Sequence, residues 1–183
     1  MGKRFDALQP EQITFIAAQK VFFVATAPVP DGRVNLSPKG IDSLRVMSPT
    51  HILWLNLTGS GNETAAQLAA DPRMTLMWMS FEARPLILRA YGLARAIHRG
   101  DADWQALSAE LPSEPGARQV IEMQVDLVQT SCGYAVPLAE ASRERTVLRD
   151  WAAAKGKDGL RAYWAERNAQ TIDGVPTGIE ANL

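Results

Sequence analysis

The chain has 183 residues, 46% of them apolar and 21% charged, with 19 basic and 20 acidic side chains and a net charge of -1. That composition fits a single domain and gives no general attraction to nucleic acid or to an anionic membrane surface. One cysteine, Cys132, and two histidines, His51 and His98, do not make a disulfide framework or a zinc spacing, and no apolar run reaches the length of a membrane span.

Pro10 at a first-turn position and the apolar Ile13, Phe15, Ile16 and Ala17 predict an opening helix over 10–20. Two apolar runs, 21–26 and 34–37, flank Pro30-Asp31-Gly32, a turn signal because glycine accepts positive φ, so they form a hairpin. A strand at 52–57 leads through the tight loop 58–62 into a short helix at 63–70, which Asp71-Pro72 ends because proline disfavours helix in the residue before it. A strand at 74–80 follows. The stretches 86–97 and 119–129 alternate: Ile121, Met123, Val125 and Leu127 point one way and Glu122, Gln124 and Asp126 the other. Between them, 101–111 reads as a helix capped by Asp101, and 112–116 as its terminating loop. The tail over 143–170 is helical with a break at 155–159, and 171–178 forms a loop. Six mostly consecutive strands with short helices at the corners predict an antiparallel barrel rather than a doubly wound sheet.

Three segments carry candidate chemistry. Gly59-Ser60-Gly61-Asn62-Glu63-Thr64 follows a strand and opens a helix, where backbone N–H groups and the helix dipole attract anions. It reads as an anion site, as an ordinary loop with Asn62 as cap, or as a Rossmann turn with Glu82 on the ribose. The helix is short for a parallel crossover, which disfavours the last. Asn35-Leu36-Ser37-Pro38-Lys39-Gly40 brings a hydroxyl, an ammonium and a missing backbone donor to a strand end. Arg84, Arg89 and Arg95 form a third group; Arg89 and Arg95 share parity on one strand, and arginine forks suit phosphate or carboxylate. The five tryptophans read mostly as core or interface, His98 as surface, and Cys132 as a thiol without a base to activate it.

Taken in order, Phe23-Val-Ala-Thr, Asp31 to Gly40, Ile52 to Ala65, Leu68 to Met74 and the strand with Gly92 and Ala94 resemble the FMN-binding split-barrel family of pyridoxamine 5'-phosphate oxidase-like flavoproteins. The resemblance covers roughly residues 12–98, and the tail with Tyr163, Asn168 and 171–176 is similar to that of small members of the family without an assigned reaction. It implies a mainly β fold with peripheral helices, a six-stranded antiparallel split β-barrel, forming a homodimer with FMN in clefts between subunits. It places Asn35, Leu36, Ser37 and Lys39 along the flavin ring, adds Trp54, Leu55 and Asn56 from the next strand, and sets the phosphate at Asn62, Glu63 and Thr64. The true oxidases carry basic residues where this chain has Glu63 and Thr64. The phosphate is therefore expected on backbone N–H groups, the Thr64 hydroxyl, Lys39, and Arg84 or Arg89, with Glu63 turned away.

No match to the oxidases' substrate-gripping arginine and tryptophan set stands near the C-terminus, so a true pyridoxamine phosphate oxidase reaction is not expected. The expectation is a cytoplasmic FMN-dependent oxidoreductase, one domain over 1–183 with a helical tail from about 143. It acts on a small-molecule substrate or electron donor such as NADH or NADPH, with no metal, nucleic acid or membrane partner and no assigned catalytic group. The alternatives are a flavin- or heme-binding module without turnover and, behind it, a nicotinamide-binding Rossmann domain.

Overall fold

A computed structural model describes residues 2–27, 31–139 and 145–183. In chain order it contains β1 (Arg4–Phe5), α1 (Pro10–Ala18), β2 (Phe22–Thr26), β3 (Asn35–Lys39), β4 (Leu44–Ser48), β5 (His51–Leu57) and α2 (Glu63–Ala70). There follow β6 (Arg73–Met79), β7 (Ile87–His98), α3 (Trp104–Ala109), β8 (Ala117–Ser131), α4 (Val147–Arg167) and a closing 3-10 turn, Ile179–Asn182. All strand pairs are antiparallel, in the order β3-β2-β6-β7-β8-β5-β4, with β1 laid on the far end of β8. A Rossmann domain needs a parallel sheet, so that alternative falls.

The sheet curls. β2 and β5 are separated by three strands in the order, yet the Phe22 and Trp54 rings meet edge to face at 6.1 Å between centroids. Inside the curl, Val24, Ile52, Trp54, Leu76, Trp78, Leu88, Ile121 and Met123 form one buried core. They come from every second position of their strands, as a half-buried sheet requires. The opposite faces of β5, β7 and β8 pack Leu53, Leu55, Ile97 and Val120 against α3. The curl stays split, with β3 and β4 as its edges.

Among the described residues there are eight strands where six are expected. β1 is two residues long and β4 is a half-buried edge, too short or too exposed for a clear alternation. α3 is also shorter than its prediction: Asp103 stands at its N-cap, while the Asp101 carboxylate accepts the His98 N–H at 2.7 Å instead of capping the helix. His98 is half-buried rather than a surface group, and burial lowers its pKa. α4 breaks at Gly156 alone, with φ 64° and ψ 179°, inside the predicted interruption. The first hairpin's turn includes Pro30, outside the described residues, while Gly32 takes φ 122°. Among the described residues no helix is long and apolar enough to cross a membrane.

Among the described residues three bulges interrupt the ladders, one of them at Met47 in the β4–β5 pair. The β5–β8 register passes from Asn56↔Gln119 to Leu57↔Ala117, which leaves Arg118 as the extra residue. Bulges re-aim side chains. The third leaves Asp126 of β8 as the extra residue opposite Tyr91 and Gly92 of β7, and at Gly92 a Cβ would run into the Gln124 carbonyl oxygen.

Candidate functional site

A cleft of about 1170 Å³ opens at the split, between the end of β3, the β3–β4 turn and the middle of β5. Lys39, Ile41, Trp54, Leu55 and Asn56 are among its walls, and Phe81 and Trp151 bring apolar surface from the β6–β7 turn and α4. The Lys39 ammonium sits 5.3 Å from the centre of the Trp54 ring, a cation over an aromatic face. Burial, reinforced by the charge of Arg118 and opposed by Glu63, lowers the Lys39 pKa from 10.5 to about 8. An incompletely solvated amine, still mostly protonated at neutral pH, is thus held on the wall of an aromatic cleft.

The turn above it is strained. Ile41 and Asp42 both take positive φ, 62° and 53°, a conformation that costs a β-branched residue about 1–2 kcal/mol. It is held by Ser43 Oγ donating to the Gly40 carbonyl at 2.7 Å and by the Arg45–Asp42 ion pair.

Behind the cleft lies the loop 58–62 and the N-terminus of α2. Asn35 of β3 donates from Nδ2 to Thr64 Oγ1 at 3.0 Å and to Thr26 Oγ1 at 3.2 Å, which ties the β3 edge to the helix start. Asn56 Nδ2 donates to Gln119 Oε1 at 2.8 Å and to Asn62 Oδ1 at 3.3 Å. Arg118, aimed here by its bulge, donates to the Gly61 carbonyl at 2.7 Å and to Asn168 Oδ1 at 2.8 Å. Asn168 in turn donates to the Gly59 carbonyl at 3.0 Å, and Trp164 Nε1 to Thr58 Oγ1 at 2.8 Å. The loop is therefore clamped from β8 on one side and from the C-terminal segment on the other.

Three buried donors in this cluster have no partner among the described residues: Asn62 Nδ2, Arg118 Nε and Gln119 Nε2. All three are N–H groups, and their residues are at most 3% exposed. Buried polar groups are ordinarily satisfied, so three orphan donors beside a helix N-terminus suit an anion. Burial lowers the Arg118 pKa to about 10, against the pull of Glu63 and Tyr163, and the guanidinium stays charged at neutral pH. Glu63 does not turn away as expected: its carboxylate folds back over Gly61 and accepts the Ile172 N–H at 3.3 Å.

Of the residues named from sequence, Lys39, Trp54, Leu55 and Asn56 line the cleft, and Asn35, Asn62 and Thr64 gather at the loop. Ser37 shares the half-buried face of β3 with Asn35 and Lys39, while Leu36 points outward at 65% exposure. The cation that reaches the loop is Arg118: Arg84 is exposed in the β6–β7 turn, and Arg89, on the outer face of β7, donates to Ser131 Oγ at 3.3 Å. Arg95 pairs with Asp103 and Glu122, and Glu122 also meets His51 at 3.0 Å, a surface ion network. Arg118 and Gln119 escape sequence reading, and Asn168 enters it only through the tail's resemblance, with no role at the loop. The available signal is the polar pair Arg118-Gln119 ahead of a strand that otherwise alternates.

A family model described as pyridoxamine 5'-phosphate oxidase matches residues 8–132. The chain is 31% identical over 189 residues to the pyridoxamine 5'-phosphate oxidase family protein ustO of Aspergillus flavus, covering 94% of this chain and 76% of that protein. Among solved structures, a histidine-to-alanine form of HupZ from Group A Streptococcus superposes with a TM-score of 0.55 at 17% identity, covering 68% of this chain and 99% of that one. A candidate pyridoxamine 5'-phosphate oxidase from Lactobacillus delbrueckii gives a TM-score of 0.54 at 21% identity, with 68% and 94% covered. These two structures share the fold.

Proposed function

The chain belongs to the pyridoxamine 5'-phosphate oxidase family, and on that premise we propose that it binds a flavin, FMN, in the cleft between β3 and β5 and acts as a cytoplasmic oxidoreductase. The observation that carries this reading is the pairing of an aromatic cleft holding Lys39 with a loop of unpartnered buried N–H donors behind it. A flavin has the same two-part chemistry, a flat ring and an anionic tail.

Lys39 of β3, with Trp54, Leu55 and Asn56 of β5, would hold the ring, with Ser37 beside Lys39 on the same face, Asn35 toward the loop and Leu36 outside the contact. Asn62, Thr64 and Arg118 would hold the phosphate, with Arg84 and Arg89 left outside that contact. When bound, the flavin supplies the hydride and electron chemistry, and the protein supplies position and charge. Lys39 would supply positive charge beside the ring, where it would favour negative charge gained on reduction, and Trp54 holds the ammonium over its face. Asn168 and Trp164 hold the loop from the C-terminal segment, so the whole chain is taken to work as one domain.

A homodimer accompanies this reading. The edge strand β3 and the residue before it present Leu36 at 65% and Val34 at 70% exposure, apolar surface that a second copy would cover. The test is titration of the full chain with FMN, followed by rapid mixing with NADH or NADPH. Binding with bleaching of the flavin band marks an oxidoreductase. Binding without reduction by either donor marks a flavin module without turnover, and no binding removes both.

A further inference from the structure

We propose, resting on the flavin reading above, that Glu63 is a specificity-determining residue: a resident carboxylate that weakens the loop's grip on a phosphate monoester. The cleft is thereby left nearly indifferent between phosphorylated and unphosphorylated flavin.

Glu63 opens α2, where an acidic side chain is favoured by the helix dipole, and that role alone would let it point into solvent. Its position goes further. The carboxylate lies so close over Gly61 that a Cβ there would collide with Oε2, and Oε1 accepts the Ile172 N–H. Ile172 belongs to the turn 171–175, which is closed by the Thr171 hydroxyl accepting the Asp173 and Val175 N–H groups and anchored to the barrel by the Arg33–Asp173 ion pair. The C-terminal segment thus pins the carboxylate beside the loop that a phosphate would use.

The charge count decides what this does. Lys39 and Arg118 both feel the Glu63 carboxylate, which offsets part of the cost of burying them. Among these three coupled groups, two positive charges against one carboxylate leave a surplus of one. A phosphate monoester at neutral pH brings roughly -1.5 to -2, more than that surplus, and uncompensated charge in a poorly solvated site is costly. With Gln at 63 the two cations would match the phosphate. The orphan donors on Asn62, Arg118 and Gln119 suit the site to an anion, while Glu63 limits how much charge that anion brings.

The experiment measures dissociation constants of FMN and riboflavin by flavin fluorescence quenching, on the full chain and on Glu63→Gln. Glu63→Ala serves as a second variant that removes the acceptor for Ile172, and near-UV circular dichroism confirms folding. The expected result is FMN and riboflavin within about threefold of each other for the wild type. In both variants FMN should bind about tenfold tighter while riboflavin is unmoved. A wild type that favours FMN by a hundredfold, or variants that shift both ligands equally, overturns the role of Glu63 and leaves the flavin reading standing. If neither flavin binds any of the three proteins, the flavin reading fails and the Glu63 role fails with it.

Discussion

At the scale of single residues, Lys39 and Ile41 show what the cleft costs the fold. The Lys39 pKa falls from 10.5 to about 8, so the folded state disfavours the ammonium. That penalty is fully present below pH 8. It is relieved as pH rises toward 10.5, because there the unfolded chain still binds the proton and the folded chain does not. Lys39→Met is therefore expected to raise stability at pH 7 by about 2 kcal/mol, less than the roughly 3 that the shift would give without solvent screening. The gain should shrink between pH 8 and 10.5 in urea titrations, while FMN affinity falls. Ile41→Gly removes a β-branched residue from φ 62° and is expected to stabilise by about 1 kcal/mol while loosening one wall of the cleft. A loss of stability in that variant would show that the turn is not strained. Lys39 was legible in the sequence because it ends a strand beside glycine and proline. Arg118 was not, since only the bulge against β5 aims it at the loop, and a bulge has no pattern of its own in one sequence.

At the scale of elements, the loop 58–62 is the joint between the barrel and the C-terminal segment. Asn168 is fully buried and bridges Arg118 to the Gly59 carbonyl. Asn168→Ala leaves both groups short of a partner and is expected to cost about 2 kcal/mol, read as a lower urea midpoint. It should also weaken FMN more than riboflavin, because the phosphate side of the site loses its clamp. Gly92→Ala would drive a Cβ into the Gln124 carbonyl beside the β8 bulge, and soluble expression should fall sharply. Most elements could be read from periodicity and punctuation: the long strands β7 and β8 alternate, and Asp71-Pro72 stops α2 where expected. β1 and β4 could not, because two or five residues at an edge carry too little alternation to stand out. The docking of 168–177 onto the loop was equally hidden, being a contact across more than a hundred positions.

At the scale of the molecule, the curled sheet closes over its inner core and leaves its split open as the candidate site. On the proposed reading the near-neutral chain would meet an anion with the buried Arg118, the half-buried Lys39 and orphan donors rather than with a basic surface. Light scattering is expected to give a dimer of the 20.0 kDa chain, with Leu36→Lys shifting it toward monomer and weakening flavin binding together. A monomer that still binds FMN would separate the cleft from the dimer. The most direct test of the central claim is the visible spectrum of the purified full chain titrated with FMN up to tens of micromolar. A shifted, structured flavin band saturating at one FMN per chain, weakened in Lys39→Met, is the expected result. An FMN spectrum unchanged by the protein across that range would contradict it.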